Sequence, residues 1–135
     1  MADEKMFKLR IIAPDRVFYE GDASFLELVT SEGEVGIYKN HIPMTMVLVP
    51  GIARITEADG VKVAALHSGF VEVLQDQITV LAEIAEWPDE IDVNRAKEAK
   101  IRAERRLEMQ DPNVNTRRAE IALKKSLIRI EVGDI

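Results

Sequence analysis

The residues of this chain best placed to do chemistry lie in the string Ile91-Asp92-Val93-Asn94-Arg95-Ala96. Asp92 is a natural helix N-cap, because its carboxylate can accept from the exposed backbone N–H groups two or three residues on. The third helical position then falls on Arg95. A capping box would place Glu or Gln there, and the positive end of the helix dipole disfavours a cation. Two readings fit: Arg95 pairs with Asp92, three residues back on the same face, or it meets a bound anion. Other chemistry is excluded more simply. His41 and His67 are too few for a His-based metal site, and neither has Asp or Glu at helical ligand spacing. There is no Walker-type phosphate loop and no Ser-His-Asp spacing. No catalytic residue and no metal site are expected, and the chain reads as no enzyme by itself.

The bulk properties bound what can position such a motif. The chain has 135 residues, enough for one domain with a core or a small domain plus an appendage. Apolar residues make up 47% and charged ones 31%, the balance of a globular protein rather than a disordered tail. The absence of cysteine removes disulfides and thiolate metal sites. The opening MADEKMFKLRII has no long apolar core after its charges, so no signal peptide is expected. No apolar run approaches the roughly 20 residues that span a bilayer. Any membrane association is therefore expected to be indirect.

Charge is unevenly spread over the net −6. Residues 1–87 hold 7 basic and 14 acidic groups, whereas residues 95–129 hold 11 basic and 5 acidic. The asymmetry marks two parts with different partners.

The first part reads as strands. Phe7, Leu9 and Ile11 alternate with Lys8 and Arg10, the period of a half-buried strand. Pro14-Asp15 turns the chain, ASFLELVT is strand-like, and SEGEVG reads as a loop in which Gly33 and Gly36 permit backbone angles closed to other residues. IPMTMVLV, GIARIT, VKVAAL, FVEVL and QITVLAEIA follow at short spacings, with Pro50-Gly51 and Asp59-Gly60 as turn signals. Many short strands predict a β-sandwich or barrel. After the linker EWPDE the period changes. Good helix formers run from Val93 to about Gln110, QDPNVN interrupts them, and TRRAEIALKKSLIRI is a second helix. The short connection predicts an antiparallel αα-hairpin. The expected class is thus mainly β plus α: an antiparallel β-sandwich over 1–87, then a helical hairpin over 88–135.

The expected seam of that hairpin is Ala96, Ala99, Ala103 and Leu107 against Ala119, Ala122, Ser126 and Ile130. At about 0.8 kcal/mol per buried CH₂ an alanine seam gains far less than a leucine seam. The hairpin should be marginal alone, which suits a switch.

Three motifs together resemble the epsilon subunit of the bacterial F-type rotary ATP synthase. They are Gly33-Glu34-x-Gly36-Ile37 with His41-x-Pro43 and Pro50-Gly51, then Gly69-Phe70-x-Glu72-Val73 with ITVLAE, then the two helical strings IDVNRAKEAKIRAERRL and RRAEIALKKSLIRI. The resemblance covers nearly the whole chain in the family's order. It implies a non-catalytic central-stalk subunit on the cytoplasmic face of the cell's inner membrane, peripheral and held through the complex. Its implied partners are the gamma subunit, the c-ring, and the alpha and beta subunits. Glu34 and His41 are the implied polar members of the gamma and c-ring contact.

For the basic helices three readings stand: a solvated face, nucleic-acid binding, and docking to acidic protein. Nucleic acid would want a larger basic excess and aromatic platforms, and the helical part has only Trp87, at its edge. The resemblance favours docking, through Arg105, Arg106, Arg117, Arg118, Lys124 and Lys125, with inhibition of ATP hydrolysis as the result. It also matches I-D-x-x-R-A to a nucleotide-recognition motif. There Glu86, Ile91, Asp92 and Ala96 flank adenine and ribose, and Arg95, Arg102, Lys125 and Arg129 meet the phosphates. ATP is implied as a regulatory ligand; no cofactor is required. Lys125 departs from the arginine of ATP-binding relatives and loses the planar fork that holds phosphate bidentately. The rival reading from another class is a free-standing ligand- or nucleic-acid-binding module with a basic helical arm.

Overall fold

The computed structural model describes residues 5–109 and 111–135. The chain separates into two compact units, the first ending at Glu86 and the second spanning Trp87–Ile135.

The first unit is a sandwich of eight strands: β1 (Phe7–Ala13), β2 (Arg16–Ala23), β3 (Phe25–Thr30), β4 (Gly33–Ile37), β5 (Met44–Leu48), β6 (Gly51–Glu57), β7 (Gly60–Val73) and β8 (Gln77–Glu86). They run in the order β2-β1-β8-β7-β5-β3-β4, with β6 bridging β3 and β7. Alternation decides which side chains go inward. Leu9 and Ile11 of β1 lie beside Ile78 and Val80 of β8, which lie beside Val73 and Val71 of β7, and all six are buried. Leu26, Leu28, Ile37, Leu48 and Ile55 complete the same core from β3 to β6. Each fully buried aliphatic side chain stabilises by about 1.5–3 kcal/mol. Tyr19 is also buried; its hydroxyl donates to Glu57 Oε2 at 2.7 Å. Burial pushes the phenol well above its ordinary range, and the neighbouring Glu57 carboxylate pushes it the same way.

Four details depart from the sequence expectation. The pairing of β1 with β8 is parallel within an otherwise antiparallel sandwich, since the chain's first and last strands meet side by side. RVFYEGDA forms β2, a strand the alternation does not announce because Phe18 and Tyr19 are both buried at a bulge between Ile11 and Ile12. SEGEVG is no open loop: Ser31-Glu32 turns the chain, and Gly33–Ile37 is already β4. Gly33 takes a positive φ of 112°, but Gly36 does not; there a Cβ would meet the Phe25 ring at 2.6 Å. Finally, VKVAAL and FVEVL are one strand. β7 pairs with β6 over its first half and with β5 over its second, so one strand serves both layers. It turns at Ser68 (φ 46°) and Gly69 (φ 154°).

The second unit begins with a 3-10 turn at Pro88–Glu90, followed by α1 (Val93–Glu108) and α2 (Thr116–Gly133). Asp92 caps α1 and Asn115 caps α2, each accepting from the backbone N–H three residues on, at 3.1 and 3.0 Å. α1 ends at Glu108, and Gln110, near which the sequence places its end, lies outside the described residues. Ala96, Ala103, Ala119 and Ser126 are buried as a small-residue seam, whereas Ala99, Leu107, Ala122 and Ile130 are half-buried. Ser126 turns its hydroxyl back to the Ala122 carbonyl at 2.9 Å, so it leaves no polar atom unsatisfied in the seam. α2 also runs three residues past the expected helix, to Gly133, and Val132 there is fully buried.

Candidate functional site

Helix geometry places the motif cations with respect to the seam. Arg95 precedes Ala96, Arg102 precedes Ala103, Lys125 precedes Ser126 and Arg129 precedes Ile130. In an antiparallel pair of right-handed helices, the residue before a seam position lies to the same side of the pair on both helices. The turn direction and the chain direction reverse together. All four cations therefore line one face. Gly133 of α2 sits against Val93 of α1, and this fixes their heights. At 1.5 Å per residue, Arg129 is level with Arg95 to within about 3 Å, and Lys125 with Arg102 to within about 2 Å. The four form two rungs of positive charge.

Asp92 does not neutralise this face. Its Oδ1 accepts from the backbone N–H of Arg95, and among the described residues no ion pair joins it to the Arg95 guanidinium. The simple pairing of Arg95 with Asp92 is thereby corrected: one carboxylate satisfies the helix end and leaves the side-chain cation exposed. On the same helix Lys100 pairs with Glu104 at 3.8 Å. Arg105 and Arg106 close α1, where the dipole favours cations, but Arg117 and Arg118 open α2, where it does not. These four arginines and Lys124 are all exposed.

Glu86 ends β8, in the first unit. Its Oε1 accepts from His67 Nε2 at 3.1 Å, and His67 is fully buried. The carboxylate assigns the imidazole proton to Nε2, and His67 Nδ1 has no partner among the described residues.

Glu34 and His41 are not brought together. Glu34 pairs with Val29, whose carbonyl accepts from Val49 just past the end of β5, while His41 precedes the start of β5. They therefore lie toward opposite ends of that strand. The His41 ring nitrogen lies 2.9 Å from the neighbouring Ile42 carbonyl.

A surface that the motifs did not suggest crosses five strands. Val17 pairs with Ile12, Ile12 with Leu81, Leu81 with Phe70, and Phe70 with Val47. Paired residues share a sheet face, so these five make one apolar row about 19 Å long at 4.8 Å per strand. Phe70 is 56% exposed, Leu81 50%, Val17 48% and Val47 47%. The adjoining row is polar, running Glu20, Arg10, Thr79, Glu72 and Thr45, with Arg10 and Glu20 paired at 3.8 Å.

Residues 6–88 match the family described as ATP synthase delta/epsilon chain, beta-sandwich domain, and residues 89–133 its long alpha-helix domain. The chain belongs to the ATP synthase delta/epsilon family. Among relatives of this family, it is 42% identical to the ATP synthase epsilon chain of Halalkalibacterium halodurans over 126 residues, covering 93% of this chain and 95% of the other. It is 43% identical to that of Clostridium novyi over 129 residues, 95% and 98% of the two chains. The fold also matches a chain of the Euglena gracilis mitochondrial ATP synthase, in the structure of its OSCP, F1 and c-ring. The TM-score is 0.83 at 22% identity, over 96% of this chain and 82% of that one.

Membership in the delta/epsilon family makes this a non-catalytic subunit class and removes the free-standing module. Among the described residues, no helix is long and apolar enough to cross a membrane. Sequence reasoning passed over the apolar row because it reads strands one at a time. Phe70 and Leu81 standing on the outward register of their strands were its available signal.

Proposed function

We propose that this chain is the central-stalk epsilon subunit of an F-type ATP synthase. Its sandwich docks on the gamma subunit and the c-ring, and its hairpin acts as an ATP-sensitive brake on hydrolysis against the alpha and beta subunits. The subunit then sits at the cytoplasmic face of the inner membrane, reaching the membrane only through the complex, and takes no part in nucleic-acid binding. The observation that carries the docking half is the apolar row. Contiguous exposed apolar surface beside a polar rim marks an interaction face, and rotary coupling needs a rigid one. Glu34 and His41, at separate places on the sandwich, serve the c-ring contact rather than a single joint site.

Phe70→Glu tests it. Aromatic anchors at interface centres contribute about 2 kcal/mol or more, so the variant should lose roughly 30-fold in affinity for gamma in a pull-down or binding titration. Phe70 is mostly exposed, so the melting temperature of the isolated chain should barely move. Undiminished recovery of gamma would show that the row is not the docking face.

The nucleotide half rests on the two rungs of cations. Like charges held on one face repel, and a triphosphate would relieve that repulsion while joining α1 to α2. Bound ATP favours the folded hairpin by its differential affinity for the folded and open states. Calorimetry of the full chain should give a saturable ATP signal. Arg95→Ala and Arg129→Ala should each weaken it about 10- to 100-fold, the worth of a charged hydrogen bond of roughly 1.5–3 kcal/mol. Absent heat at millimolar ATP, or undiminished binding by both variants, would refute the nucleotide site.

A further inference from the structure

Gly133 is the last residue of α2, and no positive φ requires glycine there. Packing supplies the reason. A Cβ on Gly133 would stand 2.5 Å from Val93 Cγ2 and 3.2 Å from Ile91 Cγ2. Both neighbours are β-branched and stiff at χ1, so neither swings aside cheaply. Val132, beside it, is fully buried, and the last turn of α2 also touches the 3-10 turn at Pro88–Glu90. The far end of α2 is therefore seated on the residues that open α1. These include Ile91 and, between Ile91 and Val93, the cap Asp92.

We infer that Gly133 is a latch residue: its missing side chain lets the last turn of α2 close over Ile91 and Val93, selecting the folded hairpin and setting the nucleotide motif in place. The link to nucleotide rests on the reading given above, whereas the steric latch does not. Any side chain at 133 obstructs closure. Substitution should shift the equilibrium toward the open, inhibitory state, and ATP affinity should fall by the loss of the competent fraction.

The chain has no cysteine, so a nitroxide pair on Lys97→Cys and Glu131→Cys, both at exposed positions, reports the width of this end in the full-length protein. Without nucleotide, Gly133→Leu should raise the open-to-closed ratio about tenfold or more, and Gly133→Ala by less. Val93→Ala, which removes the obstructing methyl, should return Gly133→Ala toward the parent distance. ATP affinity in each variant should track its closed fraction. An unchanged distance distribution in Gly133→Leu overturns the latch whatever ATP does. If Gly133→Leu loses helix altogether, the Gly133→Ala and Val93→Ala comparison decides, and lack of rescue overturns the latch. Distances that shift as expected in a protein that never binds ATP support the latch and overturn the nucleotide reading alone.

Discussion

Removing everything after Glu90 should raise ATP hydrolysis by the assembled enzyme several-fold to about 100-fold, with assembly and proton coupling retained. The range follows from the charges removed. Arg105, Arg106, Arg117, Arg118, Lys124 and Lys125 are six cations on the two helices, the first five of them exposed and Lys125 half-buried. A single exposed ion pair contributes roughly 0–1 kcal/mol, so one arginine is no brake. Six acting together at about 0.5 kcal/mol each give about 3 kcal/mol, roughly 100-fold in a rate or a population. Because those pairs are screened by salt, the inhibition of the intact enzyme should weaken as ionic strength rises, and the truncated enzyme should lose that salt dependence. Steady-state hydrolysis by the two enzymes across a salt series checks both statements. Equal rates at low salt would show that the arm does not restrain hydrolysis.

Gly69→Ala should destabilise the sandwich by about 3 kcal/mol or more, enough to unfold much of a marginal domain. Two costs coincide there. The backbone has φ +154°, a conformation that a residue with Cβ rarely adopts. The added Cβ would also lie 1.8 Å from the carbonyl oxygen of Leu81, a backbone atom of the paired strand β8 that cannot rotate away. Gly33→Ala is the control. Its φ of +112° carries the conformational cost, but nothing lies within 4 Å of the new Cβ, so about 1 kcal/mol is expected. Denaturant melts of both variants should differ accordingly. Since Gly69 adjoins Phe70, surviving Gly69→Ala protein should also bind gamma more weakly, the bend having moved the centre of the apolar row. Equal stability of the two variants would mean that β7 bends without needing glycine.

Much of the fold was legible because its signals are local. Alternation in FKLRI, the turn pairs, the change of period after Trp87-Pro88 and the cap at Asp92 each involve residues a few positions apart. The backbone responds to them through sterics and short hydrogen bonds. The alanine spacing of the helices likewise announced a seam, and small buried side chains at 96, 103 and 119 form it. What escaped was non-local. The parallel meeting of β1 with β8 joins residues some 70 positions apart, and no short-range pattern encodes it. The continuity of β7 depends on both β5 and β6 being present to pair with its two halves.

The sites divide along the same line. Composition and spacing by themselves determined that α1 and α2 carry cations at 95, 102, 125 and 129 and that a carboxylate precedes them at Asp92. Only the antiparallel pairing of two right-handed helices decided that the four share one face, because handedness and chain direction act together there. The carboxylate of Asp92 went to the backbone N–H of Arg95 rather than to its side chain, since a helix end must satisfy its own donors first. The apolar row belongs wholly to the tertiary structure. Its five residues come from five strands, and each looks like an ordinary outward position until the register of the sheet sets them side by side. The same holds at Gly133, which lies beyond the helix expected from sequence, and only the close approach of Val93 and Ile91 gives its missing side chain a reason.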